Sequence, residues 1–186
     1  MDFSPKNEMT LDWFKLIDRS ENGAFTIRHQ VAGQTEGQVT LEYRFRLPSR
    51  MDGAAWELRD LKEAGVRIVT AGANLFYETP AGRLEAIRTY ETGHDYGVKV
   101  VADVARKTAS IYVDGDLCVN SAAFRRPIST LDEVLIKTGD AASGELFLSP
   151  VNVHKGYSVC ETFVTCGVGK AQEEGDRIKV NLQFSK

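Results

Sequence analysis

The chain of 186 residues is 42% hydrophobic and 26% charged, ordinary for one globular domain that buries a core without covalent staples. A formal net charge of −3 excludes the electrostatic footprint of a duplex nucleic-acid or anionic-membrane binder. No apolar run approaches the roughly 20 residues of a membrane span, and the start, MDFSPKNEMTLDWFKL, has neither the basic nor the apolar region of a signal peptide.

Residues 1–23 are the least strand-like and read as a lead-in, with Trp13 expected to plug one end of the fold. Strands are expected at 24–30 and, most clearly, at 39–47, where Val39, Leu41, Tyr43, Phe45 and Leu47 alternate with Thr40, Glu42, Arg44 and Arg46. Period two over that length buries one face and wets the other. The run ELRDLKEAG looks helical in isolation. In its β-rich surroundings 55–59 is read as a strand and the remainder as a loop or one helical turn. Further strands are expected at 66–70, 74–78, 84–90, 96–103 and 108–113. Asp114-Gly115 supplies a two-residue hairpin turn, because both central positions of a type I′ turn need positive φ. The return strand is 117–124, followed by 133–138, 145–153, 157–166 and an alternating 177–184. About twelve short antiparallel strands at this spacing predict an all-β jelly-roll sandwich of two sheets.

Cys118, Cys160 and Cys166 form neither CxxC nor Cys/His spacings, so neither a disulfide framework nor a structural zinc site is expected. Cys160 and Cys166 could bond only across a turn, and reduced thiols are the expectation. No nucleophile elbow, phosphate loop or dinucleotide fingerprint occurs.

The runs DYGVKVVADVARKTASIYVDGDL, LDEVLIKTGD and GELFLSPVNVHKGY, with VTLEYRFRLP upstream, resemble the concanavalin A-like lectin/glucanase fold of laminin G-like type. The resemblance covers about residues 24–160. It divides the chain into the 1–23 lead-in, a 24–166 laminin G-like sandwich and a 167–186 strand or linker packing on it. It implies a non-catalytic carbohydrate-binding or accessory domain of a larger secreted or periplasmic glycan-degrading protein. The partners would be an oligo- or polysaccharide, acidic in one version, and neighbouring domains of a longer chain. Two alternatives stay open: a polysaccharide lyase or glycosidase working on the concave face, and a structural protein-interaction module. No cofactor is expected. The Asp that calcium-holding members carry on the closing strand is Ser149 here, which weakens the case for calcium.

Candidate ligand residues follow from chemistry. Glu42, Arg44 and Arg46 share the wet face of one strand, and Arg67, Arg88 and Lys99 are expected to join them, because guanidinium forks suit carboxylated or sulfated sugars. Trp56, Tyr112, Tyr77, Tyr90, Tyr96 and Tyr157 are candidates for stacking on sugar rings, with Trp56 foremost because it lies in a loop-rich stretch. Tyr43, Phe45, Phe124 and Phe147 are expected in the core. His94, in a Gly-His-Asp turn before Tyr96, could serve as acid or base in the enzyme reading. The competing explanation for every charge in this set is a solvated sheet face, and for every aromatic, core packing.

Overall fold

The computed structural model describes residues 13–19, 24–139 and 144–155, and the backbone of three strands beyond them. In chain order the strands are β1 (Phe14–Asp18), β2 (Thr26–Gln34), β3 (Gln38–Arg46), β4 (Ala55–Arg59), β5 (Ala64–Ala71), β6 (Asn74–Glu78), β7 (Leu84–Thr89), β8 (Tyr96–Asp103), β9 (Thr108–Val113), β10 (Asp116–Ala123), β11 (Leu131–Lys137), β12 (Gly144–Leu148), β13 (Val151–Lys155), β14 (Val159–Phe163), β15 (Gln172–Glu174) and β16 (Arg177–Lys179). Among the described residues there is no helix. The ELRDLKEAG run resolves into β4 and a tight turn, held by the Asp60 carboxylate accepting the N–H groups of Lys62 (2.7 Å) and Glu63 (2.6 Å).

Two antiparallel sheets build the molecule. One has eight strands in the order β1-β12-β3-β8-β9-β10, with β13 beside β3 and β14 beside β13; the other has six, in the order β2-β11-β4-β5-β6-β7. This is the all-β jelly-roll sandwich that the alternation predicts. The lead-in supplies β1, which pairs with β12 from Phe14↔Leu148 to Asp18↔Gly144. The expected single strand over 145–153 breaks at Ser149-Pro150. Proline has no N–H for a ladder, and the break lets β3 meet β12 at Phe45 and Arg46 and β13 from Val39 to Glu42. Ser149 staples the junction: its hydroxyl accepts the Arg44 N–H at 2.8 Å and its own N–H donates to the Arg44 carbonyl at 2.9 Å. Asp114 and Gly115 adopt φ of 52° and 88°, as the hairpin turn requires. Of the strand expected over 177–184, Arg177–Lys179 is a strand paired with β15, and residues 180–184 lie outside the described residues.

The core lies between the sheets. Val39, Leu41, Tyr43 and Phe45 of β3 and Val98 and Val100 of β8 face Trp56 and Leu58 of β4 and Val66 and Ile68 of β5. Trp56 stacks on Tyr43 (ring centroids 5.4 Å apart, 14° between planes) and meets Phe45 at 4.8 Å. Phe124 is also buried, whereas Phe147, expected inside, lies half-exposed on the outward face. Trp13 does not plug the sandwich; its ring lies over the Arg46 guanidinium at 5.0 Å.

One glycine marks where backbones approach most closely. A Cβ on Gly139 would sit 2.1 Å from the Asp52 carbonyl oxygen, a backbone atom that cannot swing aside. Gly139→Ala is expected to cost about 1–3 kcal/mol, seen as a fall in Tm of roughly 3–10 °C. Gly97→Ala, whose Cβ would meet Asp114 Oδ1 at an ordinary 3.7 Å, should leave the melt within about 1–2 °C of the parent.

Candidate functional site

The alternation that puts Trp56, Leu58, Val66, Ile68, Tyr77 and Val134 inside puts Glu57, Arg59, Arg67, Glu78 and Glu133 on the outward face of the six-stranded sheet. There they form one continuous ladder. Arg28 Nη1 and Arg59 Nε both lie 3.1 Å from Glu133 Oε1. Arg59 Nη1 is 3.1 Å from Glu57 Oε2, and Arg67 Nε is 3.1 Å from Glu57 Oε1. Arg67 Nη1 reaches Glu78 Oε2 at 2.5 Å, and Arg125 Nε closes the row on Glu78 Oε1 at 2.7 Å. The Arg67 and Arg125 Nε contacts are charge pairs without hydrogen-bond alignment.

Two loops fix the row, one at Arg59 and one at its Arg125 end. Arg59 Nε and Nη2 donate to the carbonyls of Asp60 (3.2 Å) and Lys62 (2.8 Å), so the 60–63 turn holds that guanidinium rigid. Arg125 N–H donates to the Gly65 carbonyl at 2.7 Å, and the side chains of Phe124 and Ile128 pack over Gly65, which has no room for a Cβ.

This outward face is recessed. Glu133 is 4% exposed and Glu57 and Glu78 8% each, and their outward neighbours Ala55, Val69 and Leu135 are buried too. Solvent reaches the ladder chiefly at Arg28, whose side chain is 53% exposed, and less at Arg67 and Arg125. By contrast the outward face of the eight-stranded sheet is open, with Arg44 and Lys99 exposed and Glu42, Arg46 and Tyr112 partly so.

Donors and acceptors are unequally used. Every oxygen of the three carboxylates lies within 3.4 Å of a guanidinium nitrogen. Arg28, Arg67 and Arg125 each keep at least one guanidinium nitrogen with no protein acceptor among the described residues. Burial pushes the Glu78 carboxyl up, but hydrogen bonds and charge from Arg67 and Arg125 outweigh it and leave the pKa below the usual range. At the end of the sheet, burial and then the Asp60 charge raise Asp132. In the core, burial and then Glu85 push Tyr77 up to about 12.

The residues nominated from sequence do not converge. Glu42, Arg44, Arg46, Lys99 and Tyr112 sit on the open face of the eight-stranded sheet, where Glu42 pairs with Lys99 (3.1 Å) and His154 (3.4 Å) and Arg46 with Asp95 (3.2 Å). Arg67 belongs to the other sheet, in the ladder. Arg88 ties β7 to the β9–β10 hairpin, donating to the Val113 carbonyl at 3.2 Å beside Asp114 and Asp116. His94 is exposed in the turn before β8, its ring edge-on to Tyr96 at 4.8 Å. Trp56 is corrected: it is 1% exposed, an inward residue of a central strand, and presents no surface to a ligand. Tyr77, Tyr90 and Tyr96 are buried as well, and Tyr157 lies outside the described residues. Sequence reasoning missed Arg28, Glu57, Arg59, Glu78, Arg125 and Glu133; the signal was the charge at alternate positions of Trp56-Glu57-Leu58-Arg59. Cys118 is unbonded, and the side chains of Cys160 and Cys166 fall outside the described residues. Among the described residues no group of three or more His, Cys, Asp or Glu side chains gathers as a metal site.

The fold is a concanavalin A-like jelly roll. Residues 54–145 match the family model described as "Sialidase-like, CBM domain", a match that supports a carbohydrate-binding role. All ladder residues except Arg28 fall within the matched stretch, whereas Glu42, Arg44 and Arg46 fall outside it. Among solved structures the chain is similar to a sialidase (TM-score 0.66, 18% identity), covering 76% of this chain and 15% of that one. It is also similar to alginate lyase AlgAT5 of polysaccharide lyase family 7 (0.50, 18%), covering 66% and 61%. A third likeness is the GH131 β-glucanase catalytic domain from Podospora anserina (0.52, 11%), covering 78% and 72%. The chain thus spans less than a sixth of the sialidase it resembles. No curated protein matches it.

Glu78 makes stability acid-sensitive. A carboxyl whose folded pKa is lowered takes up its proton more readily when unfolded, so its contribution is present above the ordinary carboxylate range and is lost as pH falls through the folded value. Urea midpoints should drop between about pH 6 and pH 3, the span that runs from above the ordinary glutamate range to below it. Glu78→Gln, which has no proton to take up, should show a smaller drop.

Proposed function

We propose that this chain is a non-catalytic carbohydrate-binding domain, accessory to a larger glycan-degrading protein that works outside the cytoplasm, and that the ladder face takes an acidic glycan. The observation that carries this reading is the imbalance just described: the row sets four guanidinium groups against three carboxylates, and Arg28, Arg67 and Arg125 keep N–H groups to spare. A neutral sugar hydroxyl donates as well as accepts, whereas this row has more guanidinium groups than carboxylates and offers chiefly donors. A carboxylate or sulfate only accepts, and guanidinium–carboxylate hydrogen bonds are the stronger, charge-assisted kind. The family match over residues 54–145 supports the carbohydrate, and the position of the ladder within it supports the face. The enzyme reading asked His94, a tyrosine and an arginine to act together; Tyr96, the tyrosine beside His94, is buried and accepts the Glu91 N–H at 2.8 Å.

A glycan array carrying sialylated, uronate-rich, sulfated and neutral polymers tests the proposal. Acidic glycans should bind with affinities in the micromolar-to-millimolar range expected of a partly open site, weakening as salt rises. Arg28→Gln and Arg125→Gln, each leaving a second arginine on the carboxylate concerned, should weaken binding about tenfold or more. Equal binding of neutral glycans, or none across all panels, overturns the reading. Release of an unsaturated uronate product, followed by its ultraviolet absorbance, would replace it with the lyase.

A further inference from the structure

We propose that the ladder takes two acid groups at once, one at each end, and so selects a stretch of polyanionic oligosaccharide over a glycan with a single acidic sugar at its tip; this rests on the acidic-glycan reading of the ladder given above. The row alternates strictly in charge. Each carboxylate stands between two guanidiniums: Glu133 between Arg28 and Arg59, Glu57 between Arg59 and Arg67, and Glu78 between Arg67 and Arg125. Arg59 and Arg67 are therefore paired on both sides. Arg28 and Arg125, the two termini, are each paired on one side only among the described residues. Each end gathers two guanidiniums on one carboxylate, and Glu57 puts a negative charge between the ends.

The middle of the row is closed to an anion. Arg59 commits all three guanidinium nitrogens: Nε to the Asp60 carbonyl and Glu133, Nη1 to Glu57, and Nη2 to the Lys62 carbonyl. Its side chain is only 12% exposed, and Glu57 beside it would repel a further carboxylate. The openings are at the ends. Arg28, the most exposed of the four, donates to Glu133 through Nη1 alone. Arg125 meets Glu78 through Nε, and a spare donor of Arg67 lies beside it. Strand order sets the distance between these openings. Arg28 belongs to β2 and Arg125 meets β6 at Glu78, four strand spacings away in the order β2-β11-β4-β5-β6. At about 4.8 Å per spacing the gap is about 19 Å, or about 14 Å if counted from Glu133 on β11, toward which Arg28 leans. One acidic monosaccharide cannot bridge it. An oligosaccharide of several residues laid across the strands can, and its second contact then forms at the effective concentration set by the first.

The test is arginine side-chain NMR and calorimetry of the whole chain, titrated with galacturonate, with its oligomers up to the octamer, and with a sialylated trisaccharide that carries one acid group. The monomer should shift the Arg28 and Arg125 resonances with two independent midpoints. Once an oligomer spans the gap, both should move with one common midpoint, and the affinity should step up about tenfold or more over that of the next shorter oligomers. Arg28→Gln should keep the parent melting temperature and the Arg125 shifts, but bring the octamer down to the affinity of the dimer. An affinity that grows only in proportion to the number of acid groups overturns this inference and leaves the proposed function standing, as does a trisaccharide that binds as tightly as the octamer. A step that survives Arg28→Gln overturns it too, because the second contact must then lie elsewhere. Silence at every length and with the trisaccharide sinks this inference and the acidic-glycan reading together.

Discussion

The position of Trp56 is the constraint on which the rest depends. Its ring lies against Tyr43 and Phe45 of the opposite sheet, the largest side chain fully enclosed between the layers. Side chains alternate along a strand, so a tryptophan facing inward obliges Glu57 and Arg59 to face outward. From that single orientation the neighbouring strands follow through their register: Glu57 lies opposite Arg67, and Glu133 opposite Arg59. Aromatic packing inside and ion pairing outside are two readings of one strand. A slip of β4 by one residue would push a carboxylate and a guanidinium between the sheets and lift the indole out, so the row of charges also guards the pairing.

The ladder is poor evidence for stability in itself. Charges taken from water repay their desolvation only with good geometry, and a sheet face filled with apolar residues would serve a scaffold equally well. What distinguishes this row is its count: four guanidinium groups stand on three carboxylates, and several donors have no protein acceptor among the described residues. A receptor for acceptor groups, as proposed above, would use that remainder.

Much of the architecture was legible from alternation and turn chemistry. The 39–47 pattern, the Asp114-Gly115 turn and the strand at 55–59 inside a helical-looking run all hold in the structure, because they are local matters of period and φ. Alternation says which residues of one strand share a side. It does not say which strands lie next to one another, since that is settled by contacts distant in sequence. Arg67 was therefore grouped with Arg44, although the two lie on different sheets. Trp56 was misread for a related reason: the glycine and aspartate at 52–53 suggested a rim, while 55–59 runs between β11 and β5 in the middle of a layer. The break at Ser149-Pro150 was visible as a proline, but not that a single neighbouring strand would thereby gain two partners.

The stretch from 124 to 130 crosses from one sheet to the other and is bonded at both. Phe124 N–H donates to the Lys107 carbonyl beside the eight-stranded sheet, and Arg125 N–H donates to Gly65 within the six-stranded one, each at 2.7 Å. With Arg88 making a comparable tie at the β7–β10 side, the layers are bolted together at separate points and resist sliding along the strand direction. The body is therefore mechanically stiff, a plate and not a hinge. A pull on either layer would therefore be carried by both, with little lost in deforming the plate itself.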